Sequence, residues 1–484
     1  MYLGSGPVGP VWAGREHAVL VLGPPRSGKT SSIVVPTVLG APGAVVSTST
    51  KPDVLLSTVA ARRRVGRCLL YDPSGTVAPP PGVEPVRWSP VQSCRNWDDA
   101  LLVARSLVGA VRPGHGSAPG TAGVGADHWT ERAESLLAPA LHAAALEGLD
   151  LGTVLSWVDR RQAGPPLAIL DAAGATRAGD LLAGIAATDP REQSGIWSTA
   201  SGVFAAYRSD AALATTAAPD FDPEAFCRSS GTLYICATGR HQALAAPLVV
   251  GLLTDVRAAA YARAAAVPDP APGPRAAPVV LALDEVANIA PIPDLPAMVS
   301  EGAGQGVLTL ACLQDLSQAR GRWGGAADGF LSLFGTTVVM GGIGDVRTLE
   351  SLSAVAGEEE VQVRSVSVPV PPRWSPGAAL ARVALGVGTP PAEGVPTVTS
   401  STTMRRRLPV DVVARGEPGM ALVVDERNRM GWVRLTPWFA SEPWRSAARG
   451  PEAARGLFPD PGPDVRLGPG RGRPPPGPGP GLGP

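Results

Sequence analysis

One short segment near the amino end constrains the fold most, because it matches the phosphate-binding loop pattern G-x-x-x-x-G-K-T over residues 23–30. The preceding apolar run, His17–Leu22, predicts a buried strand, and Thr30–Leu39 predicts a helix that Pro36 would kink or end. A strand, a glycine-bounded turn and a helix start direct several backbone N–H groups to one place. The segment therefore predicts a nucleoside triphosphate site formed by Gly23, Pro24, Pro25, Arg26, Ser27, Gly28, Lys29, Thr30 and Ser31.

The composition of the basic residues supports this interpretation. Lysine and arginine together number 42, yet the lysines are Lys29 and Lys51 alone. An ammonium is a compact point charge on a thin stem, whereas a guanidinium is a broad planar fork. Lys29 is therefore predicted to reach between phosphates where an arginine would not serve.

Short apolar runs alternate with helical stretches along most of the chain, as expected for an α/β fold with a mostly parallel sheet covered on both faces. After the loop strand, seven further strands are predicted, at residues 44–48, 68–72, 232–236, 279–283, 307–311, 337–340 and 421–424. The pattern predicts an α/β nucleotide-binding core.

The region between the early and late strands has a different character. Helical patterns cover residues 98–108, 127–147 and 152–159, and a further helix is predicted over 192–207. They are interpreted as an inserted all-helical domain, with ordinary crossover helices as the alternative. The predicted organisation is a first core part at 10–92, the helical domain at 93–219, a second core part at 220–447, and a disordered Pro/Gly-rich tail at 448–484.

Composition excludes several other classes. Net charge is zero, so a nucleic-acid surface would have to be local. The five cysteines contain no C-x-x-C pair, which argues against a zinc ribbon or a disulfide framework, and Cys68, Cys236 and Cys312 are predicted to be core residues. No secretory signal and no run of about 20 apolar residues is recognised, so the chain is expected to be soluble in a reducing cytoplasm.

The second chemical signal is a pair of acids after a predicted strand, Asp284 and Glu285. Magnesium-dependent hydrolysis of a nucleoside triphosphate needs such a pair. Asp284 would hold the water shell of Mg²⁺ while the Thr30 hydroxyl binds the ion, and Glu285 would polarise the attacking water as general base. A helix N-cap is the alternative for an isolated Asp-Glu. The loop upstream favours hydrolysis of ATP, with Lys29 as a catalytic charge.

The third signal is Gln314, at the end of the strand predicted to lie next to the acidic one. Its amide could hydrogen-bond the terminal phosphate and relay hydrolysis to nearby loops. A solvent-facing loop amide is the alternative.

These motifs together resemble the type IV secretion coupling proteins of the TraG/TraD class, which are conjugative DNA-translocating ATPases. The resemblance involves G-P-P-R-S-G-K-T, S-T-K-P-D at 49–53, L-L-Y-D-P at 69–73 and R-W-S-P at 87–90. It continues through L-A-L-D-E-V-A-N, E-G-A-G-Q-G at 301–306, L-Q-D-L-S-Q-A-R-G-R-W-G at 313–324 and R-L-P-V-D at 407–411. It covers roughly residues 10–440.

The resemblance implies a RecA-like core, a homo-hexameric ring with nucleotide between subunits, and a central channel for DNA. The implied partners are DNA, single-stranded or relaxase-bound, relaxase and relaxosome proteins, and membrane-embedded channel subunits. The implied location is the cytoplasmic face of the membrane, reached through those partners or through a missing N-terminal anchor. Ala303 and Gln305 occupy the stretch where the family commonly places an arginine that acts on the neighbouring subunit, and Arg320 or Arg322 are suggested as substitutes.

Three functions remain open at this point. The first is an ATP-driven motor that couples DNA or a relaxase–DNA complex to a type IV secretion channel. The second is a nucleotide-gated recruitment scaffold with little hydrolysis. The third is an FtsK-like double-stranded DNA pump.

Overall fold

The computed structural model describes residues 1–14, 16–111, 124–237, 242–266, 277–367, 380–381, 383–386 and 397–449. Two compact units are distinguished within them. The larger unit comprises Met1–Leu349 and the described residues from Asp411 onward, and the smaller unit comprises Glu350–Val410. The predicted division at 92, 219 and 447 stays a prediction, and the predicted disordered tail lies outside the described residues except for its first two positions.

A 12-stranded sheet forms the centre of the larger unit, in the order β2-β1-β14-β13-β10-β3-β9-β8-β4-β7-β5-β6. All neighbours from β10 to β6 pair in parallel, whereas β13, β14, β1 and β2 continue the sheet in antiparallel fashion. The smaller unit contains a separate two-stranded sheet of β11 and β12. The strands are β1 Tyr2–Gly6, β2 Gly9–Trp12, β3 Val19–Leu22, β4 Val45–Ser49, β5 Cys68–Tyr71, β6 Val83–Pro85, β7 Thr232–Cys236, β8 Val279–Leu283, β9 Val307–Leu313, β10 Thr336–Met340, β11 Glu358–Ser367, β12 Thr397–Arg406, β13 Met420–Asp425 and β14 Met430–Arg434.

All eight predicted strands are present, with bounds within two residues of those expected. Their continuous apolar runs reflect burial on both faces: every residue of β3, β4, β7 and β8 is buried. All five cysteines are buried and free, which confirms the core positions predicted for Cys68, Cys236 and Cys312.

The described α-helices cover the sheet and fill the stretch between β6 and β7. They are α1 Val35–Gly40, α2 Asp53–Arg62, α3 Trp97–Val111, α4 Val124–Glu147, α5 Leu151–Asp159, α6 Gly164–Ala172, α7 Thr176–Ala186, α8 Pro190–Val203, α9 Asp210–Ala214, α10 Pro223–Arg228, α11 Gln242–Ala265, α12 Val286–Ile289, α13 Leu295–Gly302, α14 Leu316–Trp323, α15 Phe330–Leu333, α16 Val346–Ala356, α17 Val410–Arg415 and α18 Trp444–Arg449. Short 3₁₀ turns lie at Phe204–Arg208, Gly324–Gly329 and Trp438–Ala440. The four helices predicted before residue 220 correspond to α3, α4, α5 and α8.

The helix after the phosphate-binding loop accommodates Pro36 without a break. A π-helical turn, Thr30–Val34, precedes α1, and the Val35 N–H donates to the Thr30 carbonyl across this wider turn. Pro36 is the second residue of α1, directly behind this wider turn. The expected kink is replaced by a π-helical turn directly behind the loop, a feature frequent at functional sites.

Helix α11 contains an apolar stretch long enough to span a membrane, whereas the sequence predicted no such run. Ala245–Ala265, within α11, reaches a mean hydropathy of 1.3 over an 18-residue window, and 78% of that window is buried. Helix α11 packs on α3 and α10. This burial is what a core helix shows, so length and apolar composition alone are weak evidence for a span here.

Candidate nucleotide site

The phosphate-binding loop leaves the sheet at the carboxyl end of β3. The Gly23 N–H donates to the Leu313 carbonyl at 3.1 Å, which fastens the start of the loop to the end of β9. The Ser32 N–H donates to the Gly28 carbonyl at 2.9 Å and begins the helical turn. Gly28 has a φ of 94°, a backbone conformation that side chains rarely allow. The predicted loop therefore lies between a buried strand and a helix start.

The Lys29 side chain is buried beneath this loop. It is 7% exposed, and its ammonium donates to the Gly23 carbonyl and, at 3.0 Å, to the Pro24 carbonyl. Pro25 and Arg26, by contrast, are exposed at the tip, where Arg26 has a φ of 65°. The loop thus folds around one buried positive charge.

The acidic pair reaches the loop from the sheet. Strand β9 lies between β3 and β8, and Asp284 follows the last residue of β8. The Thr30 hydroxyl donates to Asp284 Oδ2 at 2.7 Å, across 254 positions of sequence. The two residues predicted to share Mg²⁺ are therefore in direct contact.

Asp284 is held in a dry environment. It is 6% exposed, and burial raises the pKa of its carboxyl above the ordinary value, against the opposing effects of the Thr30 hydrogen bond and the Lys29 charge. The Thr48 hydroxyl donates to the Asp284 carbonyl at 3.2 Å and is itself fully buried. Thr48 was not predicted as a site residue. The sequence places it at the end of a predicted strand, but that this strand lies beside β8 is known only from the structure.

Glu285 has a strained backbone. Its φ of 56° and ψ of 46° are left-handed, a region costly for a residue with a side chain. The Asn288 side chain donates to Glu285 Oε2 at 2.8 Å and orients the half-buried carboxylate. Asn288 belongs to the quoted L-A-L-D-E-V-A-N segment but was given no role there.

Gln314 follows the last residue of β9, next to the start of the loop. Its N–H donates to Gln318 Oε1 at 2.9 Å, and its side chain is half-buried. Asp315 caps α14 by accepting from the Ser317 N–H at 2.8 Å. The structure thus brings Gln314 beside Gly23 through Leu313, and its backbone is fixed by the first turn of α14.

The two arginines suggested as substitutes for an intersubunit charge are engaged within the chain. Arg320 forms an ion pair with Asp345 at 2.5 Å, and the Arg322 guanidinium donates to the Ala110 carbonyl at the end of α3. Burial lowers the pKa of Arg322 to about 10. These contacts do not favour the suggestion.

The three consecutive arginines 62–64 differ in their surroundings. Arg63 and Arg64 are exposed, as expected for solvated charges. Arg62 is instead 1% exposed and donates to the carbonyls of Ala41, Gly43 and Ser230 and to the Thr232 hydroxyl. It ties the end of the first βα unit to β7.

The arrangement fits a triphosphate with Mg²⁺ in two respects, an unpaired polar group in the loop and the chemistry of the donors beside it. The Ser27 hydroxyl is buried and has no hydrogen-bond partner among the described residues. A site of one hydroxyl and one carboxylate suits Mg²⁺, which keeps several waters and binds through substrate phosphates.

Comparisons with known proteins agree with this geometry. The chain is similar to the unbound monoclinic form of the bacterial conjugative coupling protein TrwBdeltaN70, with 19% identity, a TM-score of 0.62, and coverage of 90% of this chain and 89% of that one. It is also similar to the plasmid coupling protein TrwB in complex with ADP and Mg²⁺, with 18% identity, a TM-score of 0.60, and coverage of 89% and 87%. A third likeness, to TrwB with the non-hydrolysable ATP analogue ADPNP, has 19% identity, a TM-score of 0.60, and coverage of 88% and 86%. No curated protein sequence matches the chain significantly.

The likenesses confirm the predicted fold class, an α/β core built on a mostly parallel sheet that carries a phosphate-binding loop. A family model covers residues 4–373, most of the chain, and its description matches the resemblance carried by the motifs. The chain therefore belongs to the type IV secretory system conjugative DNA transfer family.

Proposed function

We propose that this chain is a Mg²⁺-dependent ATPase that couples DNA, or a relaxase–DNA complex, to a type IV secretion channel. Its family supports the role in conjugative DNA transfer. The observation that carries the proposal is the hydrogen bond from Thr30 to Asp284, because it joins the end of the loop to the acidic strand at the place where hydrolysis needs a metal.

Each residue has a role in this proposal. Lys29 and the loop N–H groups bind and orient the triphosphate, and Thr30 and Asp284 hold Mg²⁺. When bound, the ion neutralises charge on the phosphate oxygens. Glu285, oriented by Asn288, accepts the proton of the attacking water. Gln314 contacts the terminal phosphate and transmits its presence to α14.

The proposed assembly follows the family resemblance. The chain forms a homo-hexamer with nucleotide between subunits, binds relaxosome proteins through its helical insertion, and reaches the cytoplasmic face of the membrane through channel subunits. The TrwB structures with ADP and Mg²⁺ and with ADPNP support the choice of nucleotide and metal.

The test is ATP hydrolysis measured with no DNA, with single-stranded DNA and with duplex DNA. We expect stimulation by DNA, and a fall of about 100-fold in turnover for Lys29→Ala, because catalysis here is positioning and charge stabilisation. Glu285→Gln is expected to bind ATP normally but to hydrolyse it about 100-fold more slowly. Arg177→Ala, an exposed residue of α7, is the control and should match the wild type.

The alternatives give different results in the same assay. A recruitment scaffold would bind ATP, turn it over negligibly, and keep its partner complex in Glu285→Gln. An FtsK-like pump would respond to duplex DNA far more than to single strands. Wild-type hydrolysis that ignores both kinds of DNA would contradict the proposal.

A further inference from the structure

Strands β11 and β12 form a long, narrow sheet in the smaller unit, here called the ribbon, residues 358–367 and 397–406. They pair antiparallel over their whole length, from Glu358 opposite Arg406 to Ser367 opposite Thr397. Ten residues at about 3.4 Å each make the ribbon roughly 34 Å long. Most strands in globular proteins are half that length.

The ribbon has little to stabilise it within one chain. The described side chains of both strands are exposed on both faces, except for the half-buried Val361. Even its apolar side chains lie in solvent: Val363 is 44%, Val398 58% and Met404 57% exposed. A two-stranded sheet without a covered face is marginally stable in water, so further strands would stabilise it considerably.

Both outer edges of the ribbon lack the features that usually protect sheet edges. Neither strand pairs with a third strand among the described residues. Beyond the charged end, residues 361–367 and 397–403 contain Val, Thr, Ser and Gln, with Arg364 as the single charge and no proline or lysine. A long, β-prone edge with unpaired N–H and C=O groups is a template for another strand.

The charges at one end select the partner. Glu358, Glu359 and Glu360 open β11, whereas Arg405 and Arg406 close β12 and Arg407 follows. Because the strands are antiparallel, both sets lie at the same end of the ribbon, acidic on one edge and basic on the other. In antiparallel pairing between copies, the acidic end of β11 meets the basic end of a partner β12, whereas beside a second β11 it would meet only the uncharged far end of that strand.

We propose that the ribbon is an assembly surface whose partner is a second copy of this chain: β11 of one copy adds antiparallel to β12 of the next. This register repeats between copies the pairing that already exists within the ribbon, with Glu359 opposite Arg405. The contact is head-to-tail, so each copy retains one free edge and the sheet extends into a closed or open array. Pairing of this kind does not depend on hydrolysis, so the proposed function and this surface can fail separately.

Mixed cysteine cross-linking tests the pairing directly, because all five native cysteines are buried and give little background. Gln362 lies opposite Thr402 within the ribbon, so the proposed register also places Gln362 of one copy opposite Thr402 of the next. Full-length Gln362→Cys and Thr402→Cys chains are mixed, with ATP, Mg²⁺ and DNA and without them, and oxidised in air with copper phenanthroline. Opposed Cα atoms of antiparallel strands lie within disulfide range.

We expect a covalent dimer in the mixture and at least about fivefold less of it in either variant alone, since antiparallel pairing of two identical strands would leave their charged ends without an opposite charge. Mixing Gln362→Cys with Thr176→Cys, at an exposed position of α7, is the control for random collision. Product in Gln362→Cys alone would mean symmetric pairing and would overturn the proposal. So would a mixture without product under every condition, as expected if residues of the same chain cover these edges.

A charge swap separates pairing between copies from folding of the ribbon. Glu358→Arg, Glu359→Arg, Arg405→Glu and Arg406→Glu in one chain preserve opposite charges within its own ribbon. A swapped Gln362→Cys chain should cross-link poorly with unswapped Thr402→Cys, because two basic ends then meet, and well with a swapped Thr402→Cys chain. Equal yields in the two mixtures would show that the charged ends do not select the partner.

Discussion

Lys29 and Lys51 differ sharply in their surroundings, although they are the two lysines of the chain. Lys29 is 7% exposed and enclosed by loop carbonyls, whereas Lys51 is exposed after β4. The space below the loop suits a narrow stem with a point charge. A guanidinium carries five N–H donors in a wide plane and would have to displace the loop backbone to enter.

We therefore expect Lys29→Arg to bind ATP as weakly as Lys29→Ala, at least about tenfold below wild type, although the positive charge is kept. Lys51→Arg is the matched control and should bind within about twofold of wild type. The measurement is calorimetric titration with ATP and Mg²⁺. Full binding by Lys29→Arg would show that charge alone, and not shape, is required at this position.

Arg62 gives a prediction about stability. Its guanidinium satisfies three buried carbonyls and one hydroxyl, and burial lowers its pKa. Arg62→Met should reduce the free energy of unfolding by roughly 3–5 kcal/mol, because buried acceptors lose charge-assisted hydrogen bonds. Its exposed neighbour provides the control: Arg63→Met should change it by less than about 0.5 kcal/mol. Urea unfolding measures both, and similar losses for the two variants would contradict the assignment.

The sequence does not show which of three consecutive arginines is buried, since Arg62 differs from its neighbours by contacts with residues about 20 and 170 positions away. The loop motif is different, because its roles depend on neighbouring residues. Lys29, Thr30 and Ser27 could be placed from the local pattern, and Asp284 from the end of an apolar strand. The contact between Thr30 and Asp284 still required the strand order.

At the scale of elements, α11 carries a buried carboxylate against the segment that precedes α3. Asp255 Oδ2 accepts a hydrogen bond from Trp88 Nε1 at 2.7 Å and another from the Ser93 hydroxyl. Burial, opposed by these two hydrogen bonds and reinforced by the charge of Asp99, raises the pKa of Asp255 from 3.8 to about 6. The R-W-S-P motif at 87–90 thus helps to fasten the segment before α3 to α11.

A raised carboxyl pKa gives a definite sign for the pH dependence. The folded chain favours the protonated carboxyl of Asp255. The contribution of this group to the stability of the folded chain is therefore complete below its ordinary pKa of about 4, and it is lost as the pH rises through 6. Two pKa units correspond to about 3 kcal/mol. Asp255→Asn keeps an acceptor oxygen and cannot ionise, so its stability relative to wild type should rise by up to about 3 kcal/mol between pH 4 and pH 8.

Urea unfolding at pH 4, 6 and 8 measures this difference. Asp98→Asn, an exposed aspartate on α3, is the control and should leave the pH dependence of stability unchanged. A constant difference between Asp255→Asn and wild type across this range would show that Asp255 titrates normally.

The strands that the sequence predicted are those buried on both faces, whose continuous apolar runs need no knowledge of their partners. Strands β1 and β2 were missed because they contain glycines. Strand β14 was missed because it is short and alternates buried with less buried residues. The ribbon was missed for a related reason: most of its residues are polar, and its few apolar residues form no continuous run. The kink or break predicted at Pro36 was wrong for a different reason. The rule for proline considers one residue and does not include the π-helical turn before it.

At the scale of the whole molecule, nucleotide chemistry and the proposed assembly surface belong to different units. The phosphate-binding loop, Asp284 and Gln314 lie in the larger unit, and the ribbon lies in the smaller one. The ends of the ribbon are close together, since the Arg407 N–H donates to the Gly357 carbonyl at 3.0 Å. The segment between them can therefore be removed without stretching the chain.

Deleting residues 358–406 and joining Gly357 to Arg407 through two glycines tests whether the two roles are separable. We expect ATP affinity within about twofold of wild type and a melting temperature within about 4 °C, because an exposed ribbon buries little apolar surface. The number of copies in the assembly, measured as native mass with ATP, Mg²⁺ and DNA, should fall, because strand addition between copies is lost. Loss of ATP binding would mean that the larger unit needs the smaller one to fold. Normal ATP binding would show that the larger unit is folded in the shortened chain, which lacks both β11 and β12. If such a chain assembled as the wild type does, the contact between copies would have to lie elsewhere.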